Sequence, residues 1–209
     1  MARPRRDQSE GVRHIWCRGN RKHAIFVDDA DRERYLALLA KAVERCGWTV
    51  YAYCLMTNHI HLVVRVPDGT LAKGVQILHG EYAQGYNRRH DADGHTWRGR
   101  YSSKRVDDDS YLLRVLCYVV NNPARAGMVG NAADWQWSSH RALLGKALAP
   151  AFLDARWTLQ QFSRRNIEIA RRRYADLVDA LCTLTAFPSA PEPRGQTPGR
   201  VPPGRVPDD

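Results

Sequence analysis

Two β-prone segments joined by a very short turn constrain the fold more than any other feature of the 209-residue chain. Trp48–Met56 and His59–Val66 are rich in aromatic and β-branched residues, and only Thr57-Asn58 separates them. Residues of these types favour strands. Because so short a connection joins antiparallel neighbours, the sequence predicts a β-hairpin here.

The segments on either side of this hairpin show helix and strand signals in a definite order. Asp28 or Asp29 can cap a helix that ends at Gly47, and Asp107–Asp109 can cap another that Pro123 prevents from continuing. The other predicted elements are a strand at Val12–Cys17, a helix with apolar residues from Leu71 to Tyr82, a loop from Arg88 to Arg100 and a strand at Tyr101–Val106. The order is β-α-β-β-α-β-α, and its first six elements follow the ferredoxin-like βαββαβ pattern. We therefore expect an α+β fold in which helices cover one face of an antiparallel sheet.

The chain beyond this pattern differs in composition. Residues 146–187 include the arginine-rich segment Trp157–Leu181, which we expect to form a basic helical extension. From Pro188 onward the chain has seven of its eleven prolines and almost no large apolar residue, which is typical of disorder. The sequence thus predicts a domain at residues 1–145, an extension at 146–187 and a disordered tail at 188–209.

The charge balance indicates a polyanionic partner. The chain has 32 Lys and Arg against 22 Asp and Glu, a net charge of +10, and neutralising nucleic-acid phosphates releases condensed counterions. A merely basic soluble surface is the alternative. No apolar run is long enough to cross a bilayer and none follows the basic N-terminus, so we expect a cytoplasmic protein without a membrane partner. Five cysteines without C-x-x-C spacing indicate neither a disulfide framework nor a cysteine-based zinc site.

Two histidines in the second strand of the hairpin are candidate metal ligands. Alternate side chains of a strand point the same way, so His59 and His61 share one face while Ile60, Leu62 and Val64 share the other. Two imidazoles on one face can bind a divalent cation. They can equally be half-buried histidines that only form hydrogen bonds with their neighbours.

A tyrosine on the third predicted helix is a candidate functional residue. Tyr118 and Asn122 are four residues apart and therefore lie on one helix face, with Arg114 one turn before Tyr118. This polar stripe is separate from the apolar stripe between Leu112 and Val119. The alternative is that Tyr118 is a packing aromatic and Asn122 only a residue of the helix C-terminus.

Five short segments occur in an order that resembles a known family. They are Arg18-Gly19-Asn20, Tyr53 to His61, Gly99-Arg100-Tyr101, Tyr118 to Gly127, and Trp137-Ser138-Ser139. This succession, within a likeness from about Gly11 to Gly145, resembles the single-tyrosine HUH transposases and in particular the REP-associated tyrosine transposases. The HUH group is named for a histidine–hydrophobic–histidine motif, which His59-Ile60-His61 satisfies.

The resemblance implies a metal-dependent endonuclease and strand transferase that acts on single-stranded hairpin or palindromic DNA through a covalent 5′-phosphotyrosine. Tyr118 would be the nucleophile, and His59, His61 and Asn122 would bind Mg²⁺ or Mn²⁺. Relatives carry Gln or Asn at the third ligand position, and the neighbouring Asn121 leaves the choice between two asparagines open. Two imidazoles suit Mn²⁺ better than Mg²⁺, which prefers oxygen ligands, so we expect Mn²⁺ to support activity.

Several cationic and polar residues are candidates for DNA contacts. Arginine suits phosphates because its planar guanidinium presents paired donors, and Arg114 is also expected to favour the phenolate form of Tyr118. We expect DNA contacts from Arg18, Asn20, Arg21, Lys22, Arg100, Arg114, Arg164 and Arg165. A solvated helix face is the alternative for the arginines of the C-terminal segment, and Trp135 and Trp137 are interpreted as packing anchors.

Other functions share parts of this pattern. A catalytically inactive binder of structured DNA or RNA would keep the basic surface without cleavage. A relaxase or replication initiator of the HUH group would share the chemistry, but this chain is short and has no helicase-like extension. The sequence leaves open a monomer, which the REP-associated branch favours, or a homodimer in which the tyrosine of one subunit acts beside the histidines of the other.

Overall fold

Four antiparallel strands form one sheet in the part of the chain that the computed structural model describes, residues 7–183. The strands are β1 (Gly11–Arg18), β2 (Thr49–Leu55), β3 (His59–Val66) and β4 (Ser102–Arg105), and their order in the sheet is β2-β3-β1-β4. Together with the βαββαβ succession, this antiparallel sheet confirms the predicted fold class. The predicted tail at 188–209 lies outside the described residues.

Seven α-helices accompany the sheet within residues 7–183. They are α1 (Asp29–Cys46), α2 (Leu71–Val75), α3 (Glu81–His90), α4 (Asp109–Arg125), α5 (His140–Leu143), α6 (Ala155–Gln160) and α7 (Ile167–Thr183). The Asp28 carboxylate caps α1 by accepting a hydrogen bond from the Asp31 backbone N–H at 3.1 Å, and Gly47 ends the helix in the left-handed conformation (φ 66°). Within the same residues no helix is long and apolar enough to span a bilayer.

The second helical region is longer than predicted. A π-helical turn, Gln76–Gly80, joins α2 to α3, and α3 extends to His90, so the predicted loop begins only at Asp91. α2 passes so close to Trp48 that a Cβ on Gly74 would lie 2.1 Å from the indole ring. Only glycine allows this approach, which ties the helix to the residue before β2.

The helices of the βαββαβ unit lie on one face of the sheet, as predicted. Tyr35 of α1 and Tyr82 of α3 pack there with Ile15 and Leu62 in one hydrophobic core. The opposite face is covered by α4, which packs on β2 and β3 and forms a second core with Val63, and by α7, which packs on α4. The sheet therefore lies between two apolar layers.

The predicted helix at Trp157–Leu181 is two helices. Residues 161–166 separate α6 from α7, because the Asn166 side chain accepts hydrogen bonds from the backbone N–H groups two and three residues later and so caps a new helix. Asn121 of α4 donates from Nδ2 to the Val178 carbonyl of α7 at 2.6 Å. Residues beyond 145 thus contribute to the core that holds α4 in place.

Pro123 does not end α4, so the sequence prediction on this point is wrong. Proline cannot donate a hydrogen bond to the Val119 carbonyl one turn earlier. The Asn122 side chain donates instead, from Nδ2 to the carbonyls of Tyr118 (2.8 Å) and Val119 (3.3 Å). This substitute donor lets the helix continue to Arg125.

The outer edge of β2 is covered by the tryptophan-rich segment 135–139. The Leu55 N–H donates to the Trp137 carbonyl at 2.9 Å, and the Trp135 indole N–H donates to the Leu55 carbonyl at 3.1 Å. The Arg32 guanidinium lies over both rings, 5.7 Å from the Trp135 centroid and 5.6 Å from that of Trp137. Both tryptophans therefore pack as predicted, and they protect an exposed sheet edge.

Candidate active site

Pairing of β1 with β3 assembles a row of polar and aromatic side chains on one face of the sheet. Arg18 lies opposite His59 and Trp16 opposite His61, and His14 is on the same face of β1. The intervening residues of β3 point the other way into the first core, as the alternation predicts. The histidine pair therefore lies on the face that α4 covers.

α4 brings the phenol of Tyr118 to these imidazoles. The Tyr118 ring centroid lies 5.6 Å from that of His61 and 6.0 Å from that of His14, edge-on in both cases. The tyrosine is half-buried. The structure therefore brings the predicted nucleophile and the predicted histidine pair together within one chain.

The imidazole of His59 is held in one orientation by its neighbour. Its Nδ1 lies 2.7 Å from Oδ1 of Asn58, whose Nδ2 in turn donates to the Lys22 carbonyl at 3.1 Å. An amide oxygen only accepts hydrogen bonds, so His59 donates from Nδ1. In a neutral imidazole the lone pair then lies on Nε2, which is the atom left for a cation.

The imidazole of His61 has a partner that the sequence analysis missed. His14, buried on β1, places its Nε2 2.9 Å from Nδ1 of His61. One nitrogen donates and the other accepts, and when Nδ1 of His61 donates, its Nε2 carries the lone pair. His14 is visible in the sequence, but only the pairing register of β1 with β3 puts the two rings in contact.

All three histidines are neutral at physiological pH. Burial lowers the pKa of His14 to about 3 and that of His59 to about 4, and the charges of Lys104 and Arg18 respectively add to this effect. Burial also holds the pKa of His61 well below its usual value, and electrostatic interactions with His14, His59 and Arg18 lower it further. A neutral imidazole keeps a nitrogen lone pair available for a metal ion.

Asn122, rather than Asn121, is the asparagine beside the site. Asn121 is buried and bonded to α7. Asn122 lies one turn beyond Tyr118, and its side chain interacts with the phenol. Because Nδ2 of Asn122 is bonded to carbonyls of its own helix, Oδ1 is the atom that can bind a cation.

This donor set fits a divalent cation. Two imidazole nitrogens and one amide oxygen carry no charge, so a cation would keep its full charge toward a phosphate. Within residues 7–183, His, Cys, Asp and Glu side chains form no cluster of three or more that could hold a metal. A site built on the histidine pair would therefore need Asn122 as its third ligand.

The arginine over Tyr118, the predicted nucleophile, is one that sequence reasoning missed. Cζ of Arg125 lies 5.3 Å from the Tyr118 ring centroid. Burial raises the pKa of Tyr118, and the positive charges of Arg125 and Arg18 partly offset that effect. Arg114, expected to play this part, is exposed and interacts with Asp108. Arg125 lies two turns from Tyr118 on the far side of Pro123, so the predicted helix end concealed it.

The predicted DNA-contacting residues fall into separate places. The Asn20 N–H donates to the Thr96 carbonyl and the Arg98 N–H to the Arg18 carbonyl, both at 2.9 Å, so the loop after β1 and the segment before β4 form one surface beside His59. Exposed residues of this surface are Arg18, Arg21, Lys22, Arg98 and Arg100. The others lie apart, with Arg114 on the exposed face of α4 and Arg164 and Arg165 between α6 and α7.

Comparison with protein families agrees with this arrangement of fold and site. Residues 8–122 match the family described as Transposase IS200 like, which is more than half of the chain and includes the histidine pair, Tyr118 and Asn122. The chain belongs to this family of transposases.

Two of the proteins to which the chain is similar carry the REP-associated name. A Haemophilus influenzae protein that carries the name REP-associated tyrosine transposase is 28% identical over 110 residues, 47% of this chain and 62% of that protein. The chain thus spans less than two thirds of that relative's length. A solved structure described as the REP-associated tyrosine transposase bound to a REP hairpin has a TM-score of 0.58 and 15% sequence identity, covering 73% of this chain and 90% of that one. This likeness shows the fold.

Proposed function

We propose that the chain is a metal-dependent single-stranded-DNA endonuclease and strand transferase that acts on hairpin or palindromic DNA through a covalent 5′-phosphotyrosine at Tyr118. The observation that carries the proposal is the approach of the Tyr118 ring to that of His61, next to His59. A tyrosine nucleophile needs its phenol beside the groups that hold the phosphate. The fold match to a protein described as bound to a REP hairpin supports hairpin DNA as the substrate class.

Three atoms would hold Mn²⁺ or Mg²⁺: Nε2 of His59, Nε2 of His61 and Oδ1 of Asn122. When bound, the cation supplies a Lewis acid that polarises the phosphate. Asn58 and His14 fix the ring orientation, since each engages Nδ1 of one histidine and leaves Nε2 for coordination. Two nitrogen ligands favour Mn²⁺ over Mg²⁺.

Tyr118 attacks phosphorus through its hydroxyl oxygen. Oη loses its proton and forms a bond to phosphorus, the bond from phosphorus to the 3′ oxygen breaks, and that oxygen takes up a proton to become a free 3′-hydroxyl. One phosphodiester replaces another, so the 3′-hydroxyl of a second strand can reverse the step and join DNA. Burial raises the pKa of the phenol, and the charges of Arg125 and Arg18 favour its ionised form as it attacks.

The test is adduct formation on a single-stranded hairpin oligonucleotide in the presence of Mn²⁺. The chain should give a denaturation-resistant protein–DNA adduct, and Tyr118→Phe should give none. Tyr111→Phe, on the same helix, is the matched control and should retain the adduct. An adduct from Tyr118→Phe would overturn the nucleophile, and tight hairpin binding without cleavage in any divalent metal would identify an inactive DNA binder instead.

The phenol approaches the histidines of its own chain, which supports a monomer that acts in cis. Mixing Tyr118→Phe with His61→Ala tests this point, because each variant lacks what the other retains. A monomer gives no adduct from the mixture. A homodimer that exchanges its tyrosine helices would restore adduct formation.

A further inference from the structure

A partly exposed indole lies beside the candidate metal site. Trp16 is directly opposite His61 in the pairing of β1 with β3, on the same face of the sheet. Its ring centroid lies 4.9 Å from that of His14, the partner of His61, at an interplanar angle of 36°. Ile15 and Cys17, its neighbours on β1, are buried in the first core, whereas Trp16 keeps solvent exposure.

The neighbours of Trp16 on the sheet face leave part of its indole exposed. Its neighbour on the edge strand β4 is Ser102, whose small side chain lies on the same face. α4 packs on β2 and β3, and the ring centroid of its Tyr111 lies 4.2 Å from Nζ of Lys104 on β4. The partly exposed indole is therefore a point at which a ligand can reach this face of the sheet.

Two exposed cations lie on the same face of the sheet as Trp16. Arg18 lies two residues after Trp16 on the same face, and Lys104 lies two residues after Ser102. Arg125 lies over Tyr118, whose ring is next to those of His14 and His61. A row of cations with an aromatic ring between them is how proteins hold single-stranded nucleic acid, because phosphates follow the charges while bases stack on the ring.

We infer that Trp16 is a stacking platform for an unpaired base of the substrate, in a nucleotide next to the phosphate that Tyr118 attacks. The inference rests on the proposed function, and it adds a binding site for a single-stranded nucleobase. A stacked base positions its own phosphodiester, so Trp16 would fix the strand along the sheet while the histidine pair receives the phosphate. Stacking tolerates every base, so this contact holds the strand without selecting its sequence.

The test couples the indole to one base of the DNA. Binding of a hairpin oligonucleotide with an unpaired flank is measured by fluorescence anisotropy in the Tyr118→Phe background, which removes cleavage from the measurement. Trp16→Ala should weaken binding about 5- to 140-fold, the range for losing one stacked base. An abasic nucleotide next to the cleavage position should weaken DNA binding by a similar factor in the Tyr118→Phe protein that retains Trp16, which is the parent here. In the Trp16→Ala variant it should weaken binding by less than twofold.

Two further variants distinguish base stacking on Trp16 from a purely structural role in which its side chain packs on His14. Trp16→Phe keeps an aromatic face and should bind within about threefold of the parent, while Trp16→Leu keeps apolar cover and should bind as weakly as Trp16→Ala. Trp157→Ala is the matched control, because that indole stacks on Tyr51 within the protein at 3.7 Å. It should leave DNA binding unchanged.

The outcomes distinguish this inference from the proposed function. If the abasic nucleotide weakened DNA binding equally with and without the Trp16→Leu substitution, Trp16 would not be a stacking platform. This would hold even if the unmutated chain formed the covalent adduct. Coupling between the indole and one base without any adduct from the unmutated chain would support the platform and overturn the proposed chemistry.

Discussion

The two faces of the sheet use the same strands for different purposes. On one face, Ile15 and Leu62 are fully buried beneath α1 and α3. On the other, the adjacent positions carry His14 and His61, whose rings are hydrogen-bonded to each other beside Tyr118. We call the face with Ile15 and Leu62 the packed face and the face with His14 and His61 the chemical face. Because strand side chains alternate with a period of two, each residue of the packed face fixes the position of a neighbour on the chemical face.

The imidazoles of the chemical face need hydrogen-bond partners, which the aliphatic side chains of Ile15 and Leu62 on the packed face do without. A buried imidazole without a hydrogen bond costs stability, and here His59 has Asn58 while His61 has His14. These hydrogen bonds engage Nδ1 of each ring and therefore determine that Nε2 is the nitrogen left for a ligand. The comparison teaches that the packed face supplies rigidity and the chemical face supplies orientation, and each can be changed separately.

The largest effect is expected from His61→Ala on the chemical face. Loss of one metal-binding imidazole should slow adduct formation about 10³-fold, since a bound cation contributes several kcal/mol to the transition state. Hairpin affinity should stay within a few fold, because the basic surface is intact. Both are measured on one oligonucleotide with Mn²⁺, and full activity of this variant would end the case for a metal site here.

Leu62→Ala makes the opposite change on the packed face, one residue away. The side chain is fully buried, so its loss should lower the free energy of unfolding by about 2–5 kcal/mol. Urea denaturation followed by circular dichroism measures this loss. Adduct formation per folded molecule should remain within a few fold of the parent, and a loss as large as that of His61→Ala would show that the two faces cannot be separated.

Asp31 holds the start of α1 on the packed side through charge. Its carboxylate is 1% exposed and accepts hydrogen bonds from the Val27 N–H, Arg89 and His90. Burial raises the pKa of Asp31, but these bonds outweigh burial and the pKa lies below its usual value of 3.8. Asp31→Asn should therefore cost about 2 kcal/mol at neutral pH.

The pH dependence gives this prediction its sign. A carboxyl with a depressed folded pKa stabilises the fold above its unfolded pKa, and that stability disappears as pH falls through the folded value. The difference between the parent and Asp31→Asn should thus be present above pH 3.8 and shrink as the pH falls below that value. Urea denaturation at several pH values measures it, and a difference that grows in acid would contradict the assignment.

A smaller effect is expected from His14, the hydrogen-bond partner of His61 on the chemical face. His14→Leu removes the partner of His61 and should weaken Mn²⁺ binding about tenfold, the lower end for loss of a group that orients a metal ligand. His14→Gln keeps a hydrogen-bond acceptor and should recover part of the affinity. Electron paramagnetic resonance titration of Mn²⁺ measures binding without reference to activity, and the exposed His95→Leu is the control.

The smallest effect is expected from the cation over the phenol. Arg125→Ala should slow adduct formation about fivefold, in line with a partly exposed cation–π contact, and raise the pH at which the reaction is fastest because the phenol ionises less readily. Arg114→Ala on the same helix should change neither quantity. A pH–rate profile of adduct formation distinguishes the two arginines, and a profile changed by Arg114→Ala but not by Arg125→Ala would restore the role expected of Arg114.

The parts of the site that the sequence predicted are those set by local geometry. His59 and His61 share a face because strand side chains alternate, and Tyr118 and Asn122 share a face because a helix turns every 3.6 residues. The cap of α1 at Asp28 and its end at Gly47 also follow from nearby backbone groups. Pro123 was misleading because its usual effect is cancelled by the side chain of Asn122.

By itself, then, the amino-acid sequence determined the order of the elements, the face on which each candidate residue lies and the family to which the chain belongs. Only the tertiary structure decided which faces meet: His14 with His61, and Asn122 rather than Asn121 toward the site because Asn121 is bonded to α7. The physical reason is the sequence separation over which each kind of interaction acts. Backbone sterics and hydrogen bonds act over a few residues, whereas these contacts join segments far apart in the chain and depend on strand register and on the packing of α4 between the sheet and α7.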